Sequence, residues 1–389
     1  RGGPATSWHP VATRPPRTGR LYRFERDRRS PGRRMLRLAP TLVVVAAAIV
    51  VVRDRRATES PAIGPSEARP GSDTVDRPAS TAEPVDGPLQ AGLPYTPFAH
   101  EDEPFARELF VEQTTIATRP DDELYQVLAD QDHPYDHIRD LARRSWAPPG
   151  DPDLEVWFFG GSSMYGIGQR DDHTIPSVVA RLAAADGIRL EVVNFGVAGY
   201  VRWQEAGLFH RLLRDRPRPD LVVFYDGIND ATLYCRQRAE GIDPATRGLI
   251  MGQPGGPPPP SPAADCLTDP VASGRELAGI LADQLGATDA IPVVLVFQPT
   301  IQTKRHDPVD APVVARTGAD PVDRAAKGRL QRTLAAETAG ALDLTGALDG
   351  QHRPTLFDWA HTNERGAAVV ARAMYRGLEA QLRQLAGRR

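Results

Sequence analysis

The residues best suited to covalent chemistry fall in four short blocks. Gly160-Gly161-Ser162-Ser163 places hydroxyls on a glycine turn, and Asp358-Trp359-Ala360-His361 places an imidazole three residues after a carboxylate. An Asp at that spacing can hold the Nδ1 side of the ring and leave Nε2 free to take a proton from a serine. Between these blocks lie Asn194-Phe195-Gly196-Val197-Ala198-Gly199-Tyr200 and Asp226-Gly227-Ile228-Asn229-Asp230, two polar turns that can offer N–H donors. A neutral hydroxyl needs a base within hydrogen-bond reach, and a tetrahedral intermediate needs donors already aimed at its oxygen.

Spacing alone leaves competitors. Ser163 adjoins Ser162, and Asp349 stands three residues before His352 just as Asp358 stands before His361. Asn229 could cap the helix that follows it, and Gly199 could serve only to make its turn. His173, His210 and His306 have no partner pattern. His133 and His137 are four apart, but Pro134 argues against a helical pair of metal ligands, so a surface turn is expected there. The turn after the first strand has no Gly-x-x-x-x-Gly-Lys-Ser/Thr, no Gly-x-Gly-x-x-Gly and no Gly-x-Ser-x-Gly, which argues against a phosphate loop, a dinucleotide fingerprint and the α/β-hydrolase elbow.

The elements that must position these blocks are legible from residue 154 onward. Apolar runs at 154–159, 190–195, 221–225 and 291–297, with a weaker one at 341–344, have the near-continuous character of strands buried on both faces. They alternate with helical stretches near 174–186, 202–215, 272–287, 321–339 and 364–385. That order predicts an α/β domain with a five-stranded parallel sheet, helices on both faces and active groups at the carboxyl ends of the strands.

The rest of the 389-residue chain divides by composition. Residues 1–37 are rich in arginine and lack apolar periodicity, as a basic disordered tail would. Residues 38–52, Leu38 to Val52, run uncharged for about 22 Å of helix, close to the span of a thin bilayer once Arg37 and Arg53 snorkel. No Ala-x-Ala-like cleavage site follows at once, so an uncleaved single-pass transmembrane anchor is expected. The excess of arginines before it predicts a cytoplasmic N-terminus and an extracytoplasmic main domain, an orientation that would lose its basis if translation began at Met35. Residues 53–90 read as a Pro-rich linker, and 91–150 as a preamble packing on the main domain, with helical patterning at 105–111 and 122–128. The main domain then covers 151–389, with a Pro-rich insertion at 236–270.

Cys235 and Cys266 flank most of that insertion, and an extracytoplasmic location favours a disulfide between them, whereas a cytoplasmic one favours two buried thiols. Two cysteines exclude a four-cysteine zinc site, and the net charge of -3 argues against a nucleic-acid partner. No cofactor and no metal are expected.

Taken in order, Gly161-Ser162, Gly199, Gly227-Ile228-Asn229-Asp230 and Asp358-x-x-His361 resemble the SGNH (GDSL-like) hydrolase family over roughly residues 154–385. The resemblance implies a flavodoxin-like three-layer α/β/α fold and ester hydrolysis or acyl transfer through a serine. It implies Ser162 as nucleophile, His361 as base and Asp358 as its orienter, with the Ser162 and Gly199 N–H groups and the Asn229 amide as oxyanion hole. One departure is that Gly160-Gly161 stands where the family usually has Gly-Asp. The expected function is that of a membrane-anchored esterase acting on O-acyl groups, such as acetyl, of envelope glycans or lipids. The same residues would serve an O-acyltransferase, and a non-catalytic module binding acylated glycans is the reading from another class.

Overall fold

The structure is a computed structural model that describes residues 116–246, 266–288, 290–305, 308–317 and 320–388, together with 108, 109 and 113. The expected tail, anchor and linker lie outside the described residues, as do nearly all of 105–111 and the centre of the insertion. Among the described residues, no helix is long and apolar enough to cross a membrane.

The chain opens with β1 (Thr118–Asp121), β2 (Tyr125–Leu128), β3 (Gln131–Asp132), β4 (His137–Arg139) and β5 (Ala142–Arg143). The main domain follows as β6 (Leu154–Gly160), α1 (Ser162–Tyr165), α2 (Ile175–Ala185), β7 (Leu190–Asn194), α3 (Arg202–Asp215), β8 (Leu221–Asp226) and α4 (Ile228–Ala239). It closes with α5 (Pro270–Gln284), β9 (Val293–Phe297), α6 (Ala311–Thr317), α7 (Pro321–Glu337), β10 (Leu342–Asp343) and α8 (Glu364–Ala386).

Five of the strands run parallel in the order β7-β6-β8-β9-β10. Counted along the chain this is 2-1-3-4-5, the flavodoxin-like order, whose switch point lies beside β6. Alternation along β6 shows why both faces are covered. Val156 and Phe158 join Val179 of α2 and Val370 and Met374 of α8 in one core, while Trp157 and Phe159 join Leu208, Phe209 and Leu212 of α3 in another. Two cores on two faces of one sheet make the α/β/α layering.

The structure corrects the expectation of five strands. The sheet has eight, because β3, β4 and β5 extend it antiparallel beyond β7, through Arg143 opposite Asn194. It also corrects the helical reading of 122–128. That segment is the far half of a hairpin, whose turn is set by the Asp121 carboxylate accepting from the backbone N–H of Glu123 and Leu124. The expected insertion starts later than 236, since α4 continues to Ala239. Cys235 and Cys266 are disulfide-bonded with Cα atoms 5.3 Å apart, beside Leu277, Leu281 and Leu334. Closing a loop of that length stabilises by roughly 3–4 kcal/mol on the chain-entropy estimate.

Candidate active site

Ser162 opens the short helix α1 directly beyond β6 and is half-buried. Its Oγ lies 2.7 Å from His361 Nε2, and His361 Nδ1 lies 2.6 Å from Asp358 Oδ2. The other Asp358 oxygen accepts from the backbone N–H of Ala360 and His361, at 2.8 and 2.7 Å, so the carboxylate is held by the loop it serves. His361 is only 4% exposed and its ring stacks on Phe357 at 5.7 Å. The structure therefore brings Ser162, His361 and Asp358 into one hydrogen-bonded line. Ser163 points elsewhere: its hydroxyl donates to the Ala360 carbonyl and accepts from Gln298, tying the serine turn to the histidine loop. The competing His352 is exposed, and its neighbour Asp349 accepts from the Arg305 backbone instead.

The donor side is assembled from the next two strands. Asn229 Nδ2 gives one N–H to the Tyr200 carbonyl at 2.8 Å, which joins the turns after β7 and β8. A Cβ on Gly161 would fall 2.4 Å from that nitrogen, so only glycine lets the Asn229 amide sit against the serine turn. Gly199 has φ 81°, a left-handed conformation that a side chain would strain. Ser162, Gly199 and Asn229 thus follow β6, β7 and β8, three adjacent strands at the switch point.

Two buried polar clusters lie beneath these turns, and neither is evident in the sequence. Under the serine turn, Arg143 donates to Asp171 Oδ1 at 3.0 Å and to the carbonyls of Tyr165, Gly166 and Gln169 at 2.9, 2.8 and 2.6 Å. Tyr165 donates its hydroxyl to Asp136, and Asp171 also contacts His137 Nδ1 at 2.7 Å. Burial pushes the Asp171 carboxyl up, and Arg143 opposes that shift. The expected surface turn at 133–137 is a bend at Pro134 and Tyr135 with Pro134 exposed, but Asp136 within it is fully buried. The loop leaving this cluster reaches the histidine side, where Arg170 makes a bidentate pair with Glu364 at 2.8 and 2.7 Å.

Under the donor turns, the Arg202 backbone N–H donates to Asp230 Oδ1 at 2.9 Å, while its guanidinium Nε donates to Asp226 Oδ2 at 2.6 Å. Glu205 completes a cluster of three carboxyls and one guanidinium, all at most 5% exposed. Burial, then the Asp226 charge, pushes Asp230 up to about 7. The same two causes push Glu205 well above the usual carboxylate range. Among the described residues no group of His, Cys, Asp or Glu could hold a metal ion.

No family model matches the sequence, and no curated protein matches it. Among solved structures the chain is similar to a lipase/acylhydrolase from Enterococcus faecalis, at 16% identity and TM-score 0.37, covering 59% of this chain and 96% of that one. It is also similar to a family 3 carbohydrate esterase from Clostridium thermocellum, at 18% identity and TM-score 0.34, over 60% and 98% of the two chains. A member of the lipolytic protein G-D-S-L family from Veillonella parvula matches at 12% and TM-score 0.33, over 56% and 94%.

Proposed function

We propose that the protein is a serine esterase of the SGNH (GDSL-like) type that hydrolyses O-acyl esters of envelope glycans or lipids. The observation that carries this reading is the unbroken line from Ser162 Oγ through His361 to Asp358, with the Asn229 amide against the serine turn. Ser162 Oγ attacks the ester carbonyl as its proton passes to His361 Nε2, and Asp358 keeps that imidazolium oriented and stabilised. The carbonyl oxygen, now an oxyanion, is held by the Ser162 and Gly199 N–H groups and the second Asn229 N–H. Collapse breaks the bond to the alkoxide, which takes the proton from His361 and leaves an acyl-serine. Water then adds with His361 as base, releasing the acid and restoring Ser162.

The Cys235–Cys266 bond supports an oxidising compartment, and with the apolar run at 38–52 it supports a membrane-anchored, extracytoplasmic domain. Hydrolysis of short and long p-nitrophenyl esters by the full chain, wild type beside Ser162→Ala, tests the chemistry. Turnover that survives the substitution would sink the serine mechanism. A reporter fused after Gln90 tests topology, and a cytoplasmic signal would reverse the orientation.

A further inference from the structure

A cavity of about 1000 Å³ opens beyond the carboxyl ends of β9 and β10, and no member of the triad lines it. Its walls gather four arginines from three separate pieces of chain: Arg305 after β9, Arg324 and Arg332 on α7, and Arg376 on α8. Arg332 donates to the Thr303 carbonyl at 3.1 Å, and the Arg305 guanidinium lies 3.5 Å from Asp349. Arg324 and Arg376 have no ion pair among the described residues. Two carboxylates, Asp343 and Asp349, also line the cavity, and each already accepts a backbone N–H, from Thr345 and Arg305 respectively. Lys304 adds nothing to the charge, because Asp310 binds it with both oxygens at 2.6 Å. Among the described residues the balance is four cations against two anions, on a concave wall that concentrates their field.

Two further observations narrow what would fill this space. Among the described residues no aromatic side chain lines the cavity, so a nucleic-acid strand would find there no surface on which to stack a base. The volume is at the upper end for a small-molecule site, enough for several linked rings.

We infer that this cavity binds an anionic saccharide chain, its carboxylate or phosphate groups on Arg324 and Arg376. Guanidinium groups suit both anions, since each presents two oxygens to the planar fork. The inference deepens the esterase reading by giving the substrate an acidic glycan backbone, and it rests on that reading for the word substrate alone.

The test uses the full chain carrying Ser162→Ala, so that binding is read without turnover, in about 0.15 M salt to screen exposed charge. Three probes are titrated: an oligogalacturonate, a mannose-phosphate oligomer and a neutral xylo-oligosaccharide. At least one anionic oligomer is expected to bind, with no binding of the neutral one. Arg324→Glu with Arg376→Glu is expected to weaken that binding by about tenfold or more. A preference between the two anionic oligomers identifies the recognised group. Binding that survives the double reversal, as attachment to the Arg-rich residues 1–37 would, overturns the inference. Equal binding of the neutral oligomer, or no binding of either anionic one, also overturns it. Circular dichroism and a thermal melt of the reversed chain that match those of its Ser162→Ala parent show that the fold is intact. Should the reversals unfold the chain, Arg324→Ala and Arg376→Ala taken singly replace them. Wild type that binds an anionic oligomer but turns over no ester would refute the esterase reading and leave the binding site standing.

Discussion

The two buried clusters under the active site solve the same problem in opposite ways. Arg143 sits between two aspartates, Asp136 and Asp171, and spends its remaining N–H groups on three backbone carbonyls of the serine loop. Arg202 sits among three carboxyls, Asp226, Asp230 and Glu205, and serves two turns rather than one loop. The first cluster sets one guanidinium against two carboxylates and ties it to the backbone of a single loop, so it can act as a clamp. The second has more acid than one guanidinium can neutralise, so in a buried setting part of that acid must hold protons. The serine turn is thus fastened by a clamp, and the turns after β7 and β8 by a cluster whose charge depends on pH.

The largest effect tests whether there is a reaction for these clusters to serve. Ser162→Ala should reduce ester hydrolysis by roughly 10⁴-fold or more, and adding His361→Ala should cost little beyond that, because the two act as one unit. Rates that multiply down in the double variant would show that the residues work separately, and the two clusters would then have no common site to position.

Next in size is the clamp itself. Arg143→Met leaves Asp136 and Asp171 buried without their guanidinium, and loss of one partner of such a pair costs about 3–5 kcal/mol. Denaturant unfolding should show that loss, and the preamble strands should open with it, since Arg143 is the residue that pairs β5 with β7. A variant as stable as wild type would mean that the backbone bonds alone fix the serine loop.

Asn229→Ala addresses the donor side. Removing one oxyanion donor typically costs about 10²- to 10³-fold in rate, so kcat should fall by that much with KM little changed. An equal loss in stability and rate would instead make Asn229 a brace between turns, through its bond to the Tyr200 carbonyl.

How much of this could be read from residues alone follows from where each group lies. Ser162, Gly199, Asn229 and His361 each stand in a short polar block at the end of an apolar run or before an amphipathic helix, so strand order brings them to one edge. Arg143, Asp136 and Asp171 have no such marker, being single polar residues in polar stretches with partners as far as 28 and 29 positions away. The segment 122–128 has apolar spacing compatible with a helix, and its hairpin is decided by the Asp121 side chain and by packing of Leu124 and Val127 on the sheet. Arg202 and Glu205 look like the polar side of α3, whereas both are buried, and only the turn after β8 explains why.

The smallest effect separates the clusters most directly. In the folded protein Asp230 is pushed up to about 7, above its ordinary 3.8, so between those values the native state holds a proton that the unfolded chain releases. Stability from this group is therefore greatest below about 4 and falls as pH rises toward 7, with the full loss present above 7. Asp230→Asn keeps an oxygen to accept the Arg202 N–H and carries no charge. It should melt with wild type near pH 4 and higher than wild type at pH 8, by roughly 2–4 °C for each kcal/mol recovered. Asp171 is pushed up as well, but Arg143 opposes that shift, so Asp171→Asn should show a weaker rise and lose a charged bond to Arg143 at every pH above the carboxyl range. Parallel melting curves for Asp230→Asn and wild type from pH 4 to 8 would mean that the Arg202 cluster is fixed in charge over that range.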